Sequence, residues 1–232
     1  MEINASKKTA ILFGATGLVG GKVLQQLLEH GAYSKVICFS RRPLDIVHHK
    51  LEQYIIDFEK MKDYEELMIC NDLYLCLGTT MAKAKSKKAF MKVDVLFPYH
   101  AALMARKRGA NQVLLISSVG ANPDSLFFYL RMKGEIEKAI LKLNFWATHI
   151  FRPSLLLGER IENRFGENLA GKLGKGLNFI SGGFLDKIKP VEADVVAMAM
   201  IQSAQNLTSG SFIYPSDMLQ KISEKERALR KF

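Results

Sequence analysis

The apolar run Thr9-Ala10-Ile11-Leu12-Phe13 is followed at once by the glycine-rich stretch Gly14-Ala15-Thr16-Gly17-Leu18-Val19-Gly20. A strand that enters such a turn and continues as a helix is the pattern of a dinucleotide-binding fold. Gly14 permits the tight turn, Gly17 lets the backbone approach a pyrophosphate, and Gly20 allows the helix to pack closely on the strand. The start of the helix would present its free N–H groups and its positive dipole end to that anion.

Length and composition indicate an ordinary globular domain. Of the 232 residues, 48% are hydrophobic and 24% are charged, so we expect residues 1–232 to form one domain with a sizeable core. No apolar stretch approaches the ~20 residues that span a bilayer. Residues 1–8 lack the apolar core of a secretory signal, which favours a cytoplasmic protein. The three cysteines show no metal-ligand spacing, so we expect no metal site.

The chain carries a formal net charge of +10. Its densest cluster of positive charge consists of Lys83, Lys85, Lys87, Lys88 and Lys92. No aromatic platform or nucleic-acid-binding motif accompanies these lysines, so we do not expect a nucleic-acid partner. A solvated surface is the favoured interpretation, and attraction of an anionic cofactor or substrate is the alternative.

Apolar runs of strand length alternate with stretches of helical period along most of the chain. This alternation is typical of a parallel sheet wrapped by helices, and uninterrupted apolar runs suit strands that are covered on both faces. The sequence therefore predicts an α/β, Rossmann-type doubly wound parallel sheet. The predicted strands are 9–13, 36–39, 54–56, 73–77, 113–116, 147–151 and 212–214. The predicted helices follow the glycine turn and cover about 64–68, 85–108, 134–143 and 191–203.

Residues 155–190 break this alternation, because they are rich in glycine and have no clean period. We interpret them as a small C-terminal loop-and-helix cap that forms part of a substrate pocket. A separate domain is the less favoured interpretation. The apolar side chains that would line this pocket, or simply pack, are Leu155, Leu156, Phe165, Phe179 and Phe184.

The end of the second predicted strand carries Ser40-Arg41-Arg42. An acidic residue at this point would hydrogen-bond the 2′-hydroxyl of NAD. Two guanidinium groups can instead pair with the 2′-phosphate of NADP through charge-assisted hydrogen bonds. The sequence therefore favours NADP(H) as the cofactor, with a solvated basic loop as the alternative.

Two further strand ends carry candidate cofactor contacts. Asp57 would accept a hydrogen bond from adenine while Phe58 packs nearby, although a helix N-cap is nearly as good an interpretation of Asp57. Gly78-Thr79-Thr80 follows the fourth strand, at the edge where open α/β sheets bind ligands. There Gly78 would let the cofactor approach the backbone, unless it only forms a turn.

A proton-transfer group is predicted between the fifth strand and the next helix. Ser117-Ser118 closes the strand, and Tyr129 and Lys133 follow at i, i+4 spacing, which places them on one helix face. The ammonium of Lys133 would lower the pKa of the Tyr129 phenol from its reference of about 10. Such a phenol can give a proton to a carbonyl oxygen, or take one from an alcohol, during hydride transfer. Tyr-x-x-x-Lys is common on surface helices, so it is the dinucleotide-binding context that favours catalysis.

Several segments together carry a family resemblance that covers about residues 9–160. They are Gly14–Gly20, Cys76–Thr80, Val93-Asp94, Ser117-Ser118, Tyr129–Lys133 and Phe151-Arg152-Pro153. The chain resembles an atypical short-chain dehydrogenase/reductase, and most closely the Tat-interacting-protein-like oxidoreductases. Val93-Asp94 lies where many members of that superfamily carry an asparagine.

The resemblance implies a Ser–Tyr–Lys active site over a nicotinamide, with Lys133 also holding the nicotinamide ribose. Ser118 fits the serine position best, and Ser117 is the alternative. By the same resemblance, Pro153 and Leu155 would line the nicotinamide edge. The predicted catalytic residues are Ser118, Tyr129 and Lys133. The predicted cofactor-binding residues are Gly14, Thr16, Gly17, Leu18, Val19, Gly20, Ser40, Arg41, Arg42, Asp57, Phe58, Leu77, Gly78, Thr79, Thr80, Ser117, Lys133, Pro153 and Leu155.

The leading hypothesis is an NADP(H)-dependent oxidoreductase that transfers hydride to a small carbonyl-like substrate. The alternative is an NADP(H)-binding redox sensor or scaffold that contacts a protein partner and turns over little, since a fold alone does not fix a function. Ser118, Tyr129 and Lys133 favour the enzyme, because a sensor does not need them. We expect no membrane span, and the sequence does not choose between a monomer and a homodimer.

Overall fold

A parallel sheet forms the centre of the structure, a computed structural model that describes residues 7–157 and 190–229, with side chains as far as residue 224. In chain order the strands are β1 Lys8–Phe13, β2 Tyr33–Ser40, β3 Leu51–Ile55, β4 Asp72–Leu75, β5 Gln112–Ile116, β6 Ala147–Arg152, β7 Leu156–Leu157, β8 Val191–Glu192 and β9 Gly210–Pro215. Seven of them form one sheet in the order β3-β2-β1-β4-β5-β6-β9, in which every neighbouring pair is parallel. β7 pairs with β8. The predicted Rossmann-type doubly wound sheet is confirmed.

Helices lie on both faces of this sheet. They are α1 Leu18–Glu29, α2 Met81–Ala84, α3 Lys87–Met91, α4 Phe97–Lys107, α5 Phe128–Leu141, α6 Ala193–Gln205 and α7 Ser216–Leu229. A 3₁₀ helix spans Phe58–Leu67, and a π-helical turn at Lys92–Leu96 joins α3 to α4.

β1 shows how the sheet comes to be covered on both faces. Successive side chains of a strand point to opposite faces. Ala10 and Leu12 therefore join the core that α1 and α6 cover, while Ile11 and Phe13 join the core that α4 and α5 cover. All four side chains are fully buried, which explains why the sequence of this strand is apolar without alternation.

Several element boundaries differ from the predicted ones, among them those of the helix predicted over 85–108 and of the third strand. The helix predicted over 85–108 begins only at Lys87, because Lys85 has a left-handed backbone with φ 61° that ends the short α2, and Ser86 then caps α3. Inside this helix lies the π-helical turn between α3 and α4. The third strand is Leu51–Ile55 and not 54–56. Both differences lie at the ends of helices or strands, where the hydrophobic period gives the least information about the exact boundary.

The predicted cap over 155–190 lies almost wholly outside the described residues. Its two described ends are β7 and β8, and the backbone N–H of Val191 donates to the carbonyl of Leu155 at 2.9 Å. The candidate pocket residues Phe165, Phe179 and Phe184 lie outside the described part of the chain. The cap, and the expectation of one domain over residues 1–232, therefore stay predictions.

A buried polar network links the first residues of β1, β4 and β5. Lys8 Nζ lies 2.6 Å from Asp72 Oδ2, and the Gln112 amide donates to Asp72 Oδ1 at 3.0 Å. The network continues to β6 and β9, since His149 Nε2 lies 3.1 Å from the side-chain oxygen Oε1 of Gln112 and His149 Nδ1 lies 2.9 Å from Tyr214 Oη. Each of these buried polar groups thus has a partner, as burial requires.

His149 should make the stability of the protein depend on pH. Burial, and secondarily the positive charge of Lys8, lowers the pKa of His149 from 6.5 to about 4. Between these two pH values the unfolded chain binds more protons than the folded chain, so the free energy of unfolding decreases as the pH falls. We expect this contribution to be complete above pH 6.5 and to lose about 3 kcal/mol by pH 4.

The matched variant is His149→Phe, whose ring can keep the stacking on Phe212 and Tyr214. This variant should be less stable at neutral pH, because Gln112 and Tyr214 lose a hydrogen-bond partner. Its stability should nevertheless fall less steeply with acid than that of the wild type. Urea unfolding of both proteins at a series of pH values measures the difference, and parallel curves would contradict the assignment.

Candidate active site

The glycine turn between β1 and α1 leaves no room for a side chain at Gly14 or at Gly20. Gly14 has φ +92°, and a Cβ on it would lie 2.5 Å from the carbonyl carbon of Cys76. A Cβ on Gly20 would lie 2.0 Å from the carbonyl oxygen of Gly14, and one on Gly17 would lie 3.2 Å from the same oxygen. The structure therefore has the tight turn at Gly14 and the close packing at Gly20 that the sequence predicts.

The N-terminus of α1 is suited to an anion. Gly17 is the N-cap residue, no side chain caps the helix, and its first turn contains no acidic residue. The first N–H groups of a helix have no partner within the helix, and they carry the positive end of its dipole. Together with the space that the glycines leave, these groups fit the pyrophosphate of a dinucleotide.

Two clefts meet at the carboxyl ends of the strands, and both are lined by Cys76, Leu77 and Gly78. Of the predicted residues, the first cleft, here called the glycine cleft, is lined by Gly14, Thr16, Gly17, Ser40, Arg41, Phe58, Leu77 and Gly78. The second, the tyrosine cleft, is lined by Leu18, Val19, Leu77, Gly78, Thr79, Thr80, Ser117, Ser118, Tyr129, Lys133 and Pro153. Because these three residues line both clefts, the two clefts are parts of one groove. Cys76 was not among the predicted cofactor-binding residues.

Four predicted cofactor residues do not line either cleft. Gly20 packs against the glycine turn. The exposed Arg42 uses its carbonyl to accept from Ser40 Oγ at 2.6 Å. Asp57 caps the 3₁₀ helix, accepting from the N–H of Glu59 at 2.9 Å, which is the alternative role considered for it.

The fourth is Leu155, whose place at the nicotinamide edge stays a prediction. Leu155 is 47% exposed, and Leu156 lines the tyrosine cleft in its place. Leu155 lies at a bend directly before β7, whereas Leu156 is the first residue of that strand.

A buried ion pair holds Lys133. Its Nζ lies 2.8 Å from Asp94 Oδ1, and Asp94 Oδ2 accepts from the backbone N–H of Thr79 at 2.8 Å. Asp94 belongs to the π-helical turn, a distortion that is frequent at functional sites. The carboxylate of Asp94 therefore fixes the ammonium group relative to the loop that follows β4, at the position where the resemblance expected an asparagine.

The two serines at the end of β5 have different partners. Ser117 Oγ donates to Glu137 Oε1, and Arg152 donates to both oxygens of Glu137, at 3.0 and 2.5 Å. Within the part of the chain that the structure describes, Ser118 Oγ has only a long hydrogen bond of 3.2 Å, to the carbonyl of Val119. The Ser118 hydroxyl is thus the easier of the two to redirect toward a ligand.

Glu137 is a site residue that the sequence argument missed. It follows Lys133 by four residues on α5, as Lys133 follows Tyr129, so the same helical spacing could have indicated it. α5 lies close to the loop that follows β5 because Gly134 lacks a side chain: a Cβ there would lie 2.1 Å from the backbone N of Pro123. This close approach helps to hold Tyr129 and Lys133 at the cleft.

The family model for the NAD dependent epimerase/dehydratase family matches residues 10–128. The chain belongs to this family. Among its relatives, protein HTATIP2 of Rattus norvegicus is 35% identical over 175 residues, which cover 74% of this chain and 72% of that protein. Protein FMP52, mitochondrial, of Candida albicans is 34% identical over 209 residues, which cover 87% of this chain and 90% of that protein.

A solved structure of MoeE5 in complex with UDP-glucuronic acid and NAD has the same fold. Its TM-score is 0.68 at 15% sequence identity, and the match covers 88% of this chain and 75% of that one. The resemblance to short-chain dehydrogenases/reductases, including the Tat-interacting-protein-like group, is therefore confirmed at the level of the family and the fold.

The expectation of a cytoplasmic protein is wrong. Fungal relatives of this family member, including those of Candida albicans and Saccharomyces cerevisiae, are named as mitochondrial proteins. The expectation depended on the lack of a secretory signal core. Mitochondrial import signals are amphipathic and rich in arginine and serine, so that criterion does not test for them.

The described residues were also compared with the requirements of a metal site, a membrane-spanning helix and a nucleophilic cysteine. Over 7–157 and 190–229, no group of three or more His, Cys, Asp or Glu residues is placed to hold a metal ion, and no helix is long and apolar enough to cross a membrane. Burial, and secondarily the proximity of Cys38, raises the pKa of the Cys76 thiol to about 12. Because the thiolate is the reactive form, Cys76 contributes a neutral wall to the groove and no nucleophile.

Proposed function

We propose that this family member is an NADP(H)-dependent oxidoreductase that transfers hydride to a small carbonyl-like substrate, with Tyr129 as the acid/base. One observation carries the proposal: the glycine cleft and the tyrosine cleft share the wall formed by Cys76–Gly78. A dinucleotide whose pyrophosphate lay at the N-terminus of α1 could therefore extend along this groove toward Tyr129 and Lys133. Ligands of open α/β sheets bind at this edge, where the strand order reverses between β1 and β4.

The residues of the tyrosine cleft supply the remaining chemistry. A bound nicotinamide ring provides the hydride. The phenol of Tyr129 gives its proton to the carbonyl oxygen as negative charge develops there. Ser118 donates a hydrogen bond to the same oxygen, which stabilises that charge. Lys133 has three N–H donors, and its ion pair with Asp94 holds them beside the cleft.

The preference for NADP(H) over NAD(H) depends on Arg41. Arg41 lines the glycine cleft, whereas the neighbouring Arg42 does not. We expect Arg41→Ala to weaken NADPH binding by about 10-fold or more and to leave NADH binding nearly unchanged. A hydrogen bond to a charged group contributes ~1.5–3 kcal/mol, and ~1.4 kcal/mol is a factor of ten in affinity. Fluorescence titration with both cofactors measures the two dissociation constants.

Arg42→Ala is the matched control, because it removes the same charge one residue away and should have the smaller effect. If the wild type bound NADH as tightly as NADPH, the NADP preference would be refuted.

The reaction is tested by following the oxidation of NADPH against a panel of aldehydes and ketones. Turnover of at least one panel member, with saturation by NADPH, supports the proposal. Tight NADPH binding without turnover of any of them would instead favour the redox sensor or scaffold.

A further inference from the structure

Glu137 is a buried carboxylate that the proposed reaction does not use. It is 4% exposed and lies on α5, four residues after Lys133. Arg152, at the end of β6, donates from Nε to Oε1 at 3.0 Å and from Nη2 to Oε2 at 2.5 Å. This two-point pairing fixes the orientation of the carboxylate, because both partners are planar.

The fixed carboxylate determines the direction of the Ser117 hydrogen bond. An ionised carboxylate can only accept, so the single hydroxyl proton of Ser117 must point to Glu137 Oε1. The backbone of Ser117 is held as well, since its N–H donates to the carbonyl of Phe151 at 2.7 Å. Ser117 is therefore fixed in both position and polarity.

Ser117 nevertheless lines the tyrosine cleft. A serine hydroxyl has one proton and two lone pairs, and the proton is already used. Within the described residues, no donor is bonded to Ser117 Oγ. Toward a ligand in the cleft, this hydroxyl can only accept a hydrogen bond.

We propose that the Glu137–Arg152 pair is a positioning unit that makes Ser117 a hydrogen-bond acceptor, so that the cleft selects a ligand group with an N–H or O–H donor at this point. The inference rests on the proposed function. Two sources can supply the donor: the carboxamide NH₂ of the nicotinamide, or a hydroxyl next to the carbonyl of the substrate. A buried acceptor left without its donor is costly, so such a site discriminates strongly against ligands that lack the group.

The first arm of the test compares NADP⁺ with its 3-acetylpyridine analogue, in which a methyl group replaces the carboxamide NH₂. If the cofactor supplies the donor, the wild type should bind NADP⁺ about 10-fold more tightly than the analogue. In Ser117→Ala the two dissociation constants should become nearly equal. This arm measures binding alone and needs no substrate.

The second arm uses each carbonyl compound that the wild type reduces, together with its α-hydroxy and α-methoxy derivatives. If the substrate supplies the donor, kcat/KM of the wild type should favour the hydroxy over the methoxy compound by about 10-fold. Ser117→Ala should again remove the preference. The arm that shows the preference identifies the source of the donor.

The variant Glu137→Gln separates the direction of the Ser117 hydrogen bond from a general loss of structure at the cleft. The substitution removes the acceptor-only carboxylate and so lets the Ser117 hydroxyl donate into the cleft. We expect the preference for the donor-bearing ligand to shrink, because the methoxy or acetyl compound binds relatively better in this variant. A purely structural role would weaken both members of each pair equally. Glu135→Gln, the same change at an exposed position of α5, is the control and should retain the preference.

The outcomes separate this inference from the proposed function. If the wild type binds NADPH and turns over a carbonyl compound, but discriminates less than about 2-fold in both arms, the acceptor role of Ser117 is refuted and the proposed function stands. If the preference is present but Glu137→Gln retains it, the positioning role of Glu137 is refuted. If the wild type binds no cofactor, both proposals fail.

Discussion

Replacement of Tyr129 by phenylalanine is expected to lower kcat by about 100- to 10,000-fold, the usual contribution of a positioned acid/base. The substitution removes only the phenolic oxygen. The ring of Tyr129 packs edge-on against Phe90, with ring centroids 6.1 Å apart, and phenylalanine can keep this contact. Fold and cofactor binding should therefore be preserved while proton transfer is lost.

The measurement pairs NADPH-oxidation kinetics with a cofactor titration and a thermal melt of the same samples. The dissociation constant for NADPH should change by less than about 3-fold, since the phenol is assigned to the reacting oxygen. Tyr54→Phe is a suitable control, because its phenol bonds to Glu52 at 3.3 Å, away from the residues that line the tyrosine cleft. Undiminished turnover in Tyr129→Phe would refute its role as the acid/base.

The sequence could predict those features that depend on local chain geometry. The glycine turn is a contiguous motif in which each glycine has a backbone reason, so the sequence predicts a tight turn at Gly14 and close packing of helix on strand at Gly20. The strands were predictable because both faces of the sheet are covered, which makes each strand a continuous apolar run. Tyr129 and Lys133 were found because helical spacing relates them directly.

The parts that were missed depend on pairing between distant segments. Asp94 and Lys133 are 39 positions apart, and only the folded chain brings their charges to 2.8 Å. Arg152 reaches Glu137 from β6, a contact for which no sequence period gives a signal. α7 was not among the predicted helices. Leu155 precedes the two-residue strand β7, and resemblance alone could not show that the neighbouring Leu156 lines the tyrosine cleft.

The second large effect is expected at Gly20. A Cβ there would lie 2.0 Å from the carbonyl oxygen and 2.7 Å from the carbonyl carbon of Gly14, distances that backbone atoms cannot tolerate. Gly20→Ala should therefore push α1 away from the turn and remove its N–H groups from the pyrophosphate position. We expect NADPH affinity to fall by at least about 100-fold, because losing two hydrogen bonds to a charged group costs ~3 kcal/mol or more. Overpacking should also lower stability by ~1–3 kcal/mol.

The adjacent glycine provides a stringent control for this prediction. A Cβ on Gly21 would lie 3.4 Å from the carbonyl oxygen of Ala15, an ordinary contact, and alanine has the higher helix propensity. Gly21→Ala should therefore bind NADPH like the wild type and be at least as stable. Titration and thermal melting of both variants measure the contrast. If Gly20→Ala retained wild-type affinity, the pyrophosphate would not lie at the start of α1, and the cofactor assignment for the glycine cleft would be refuted.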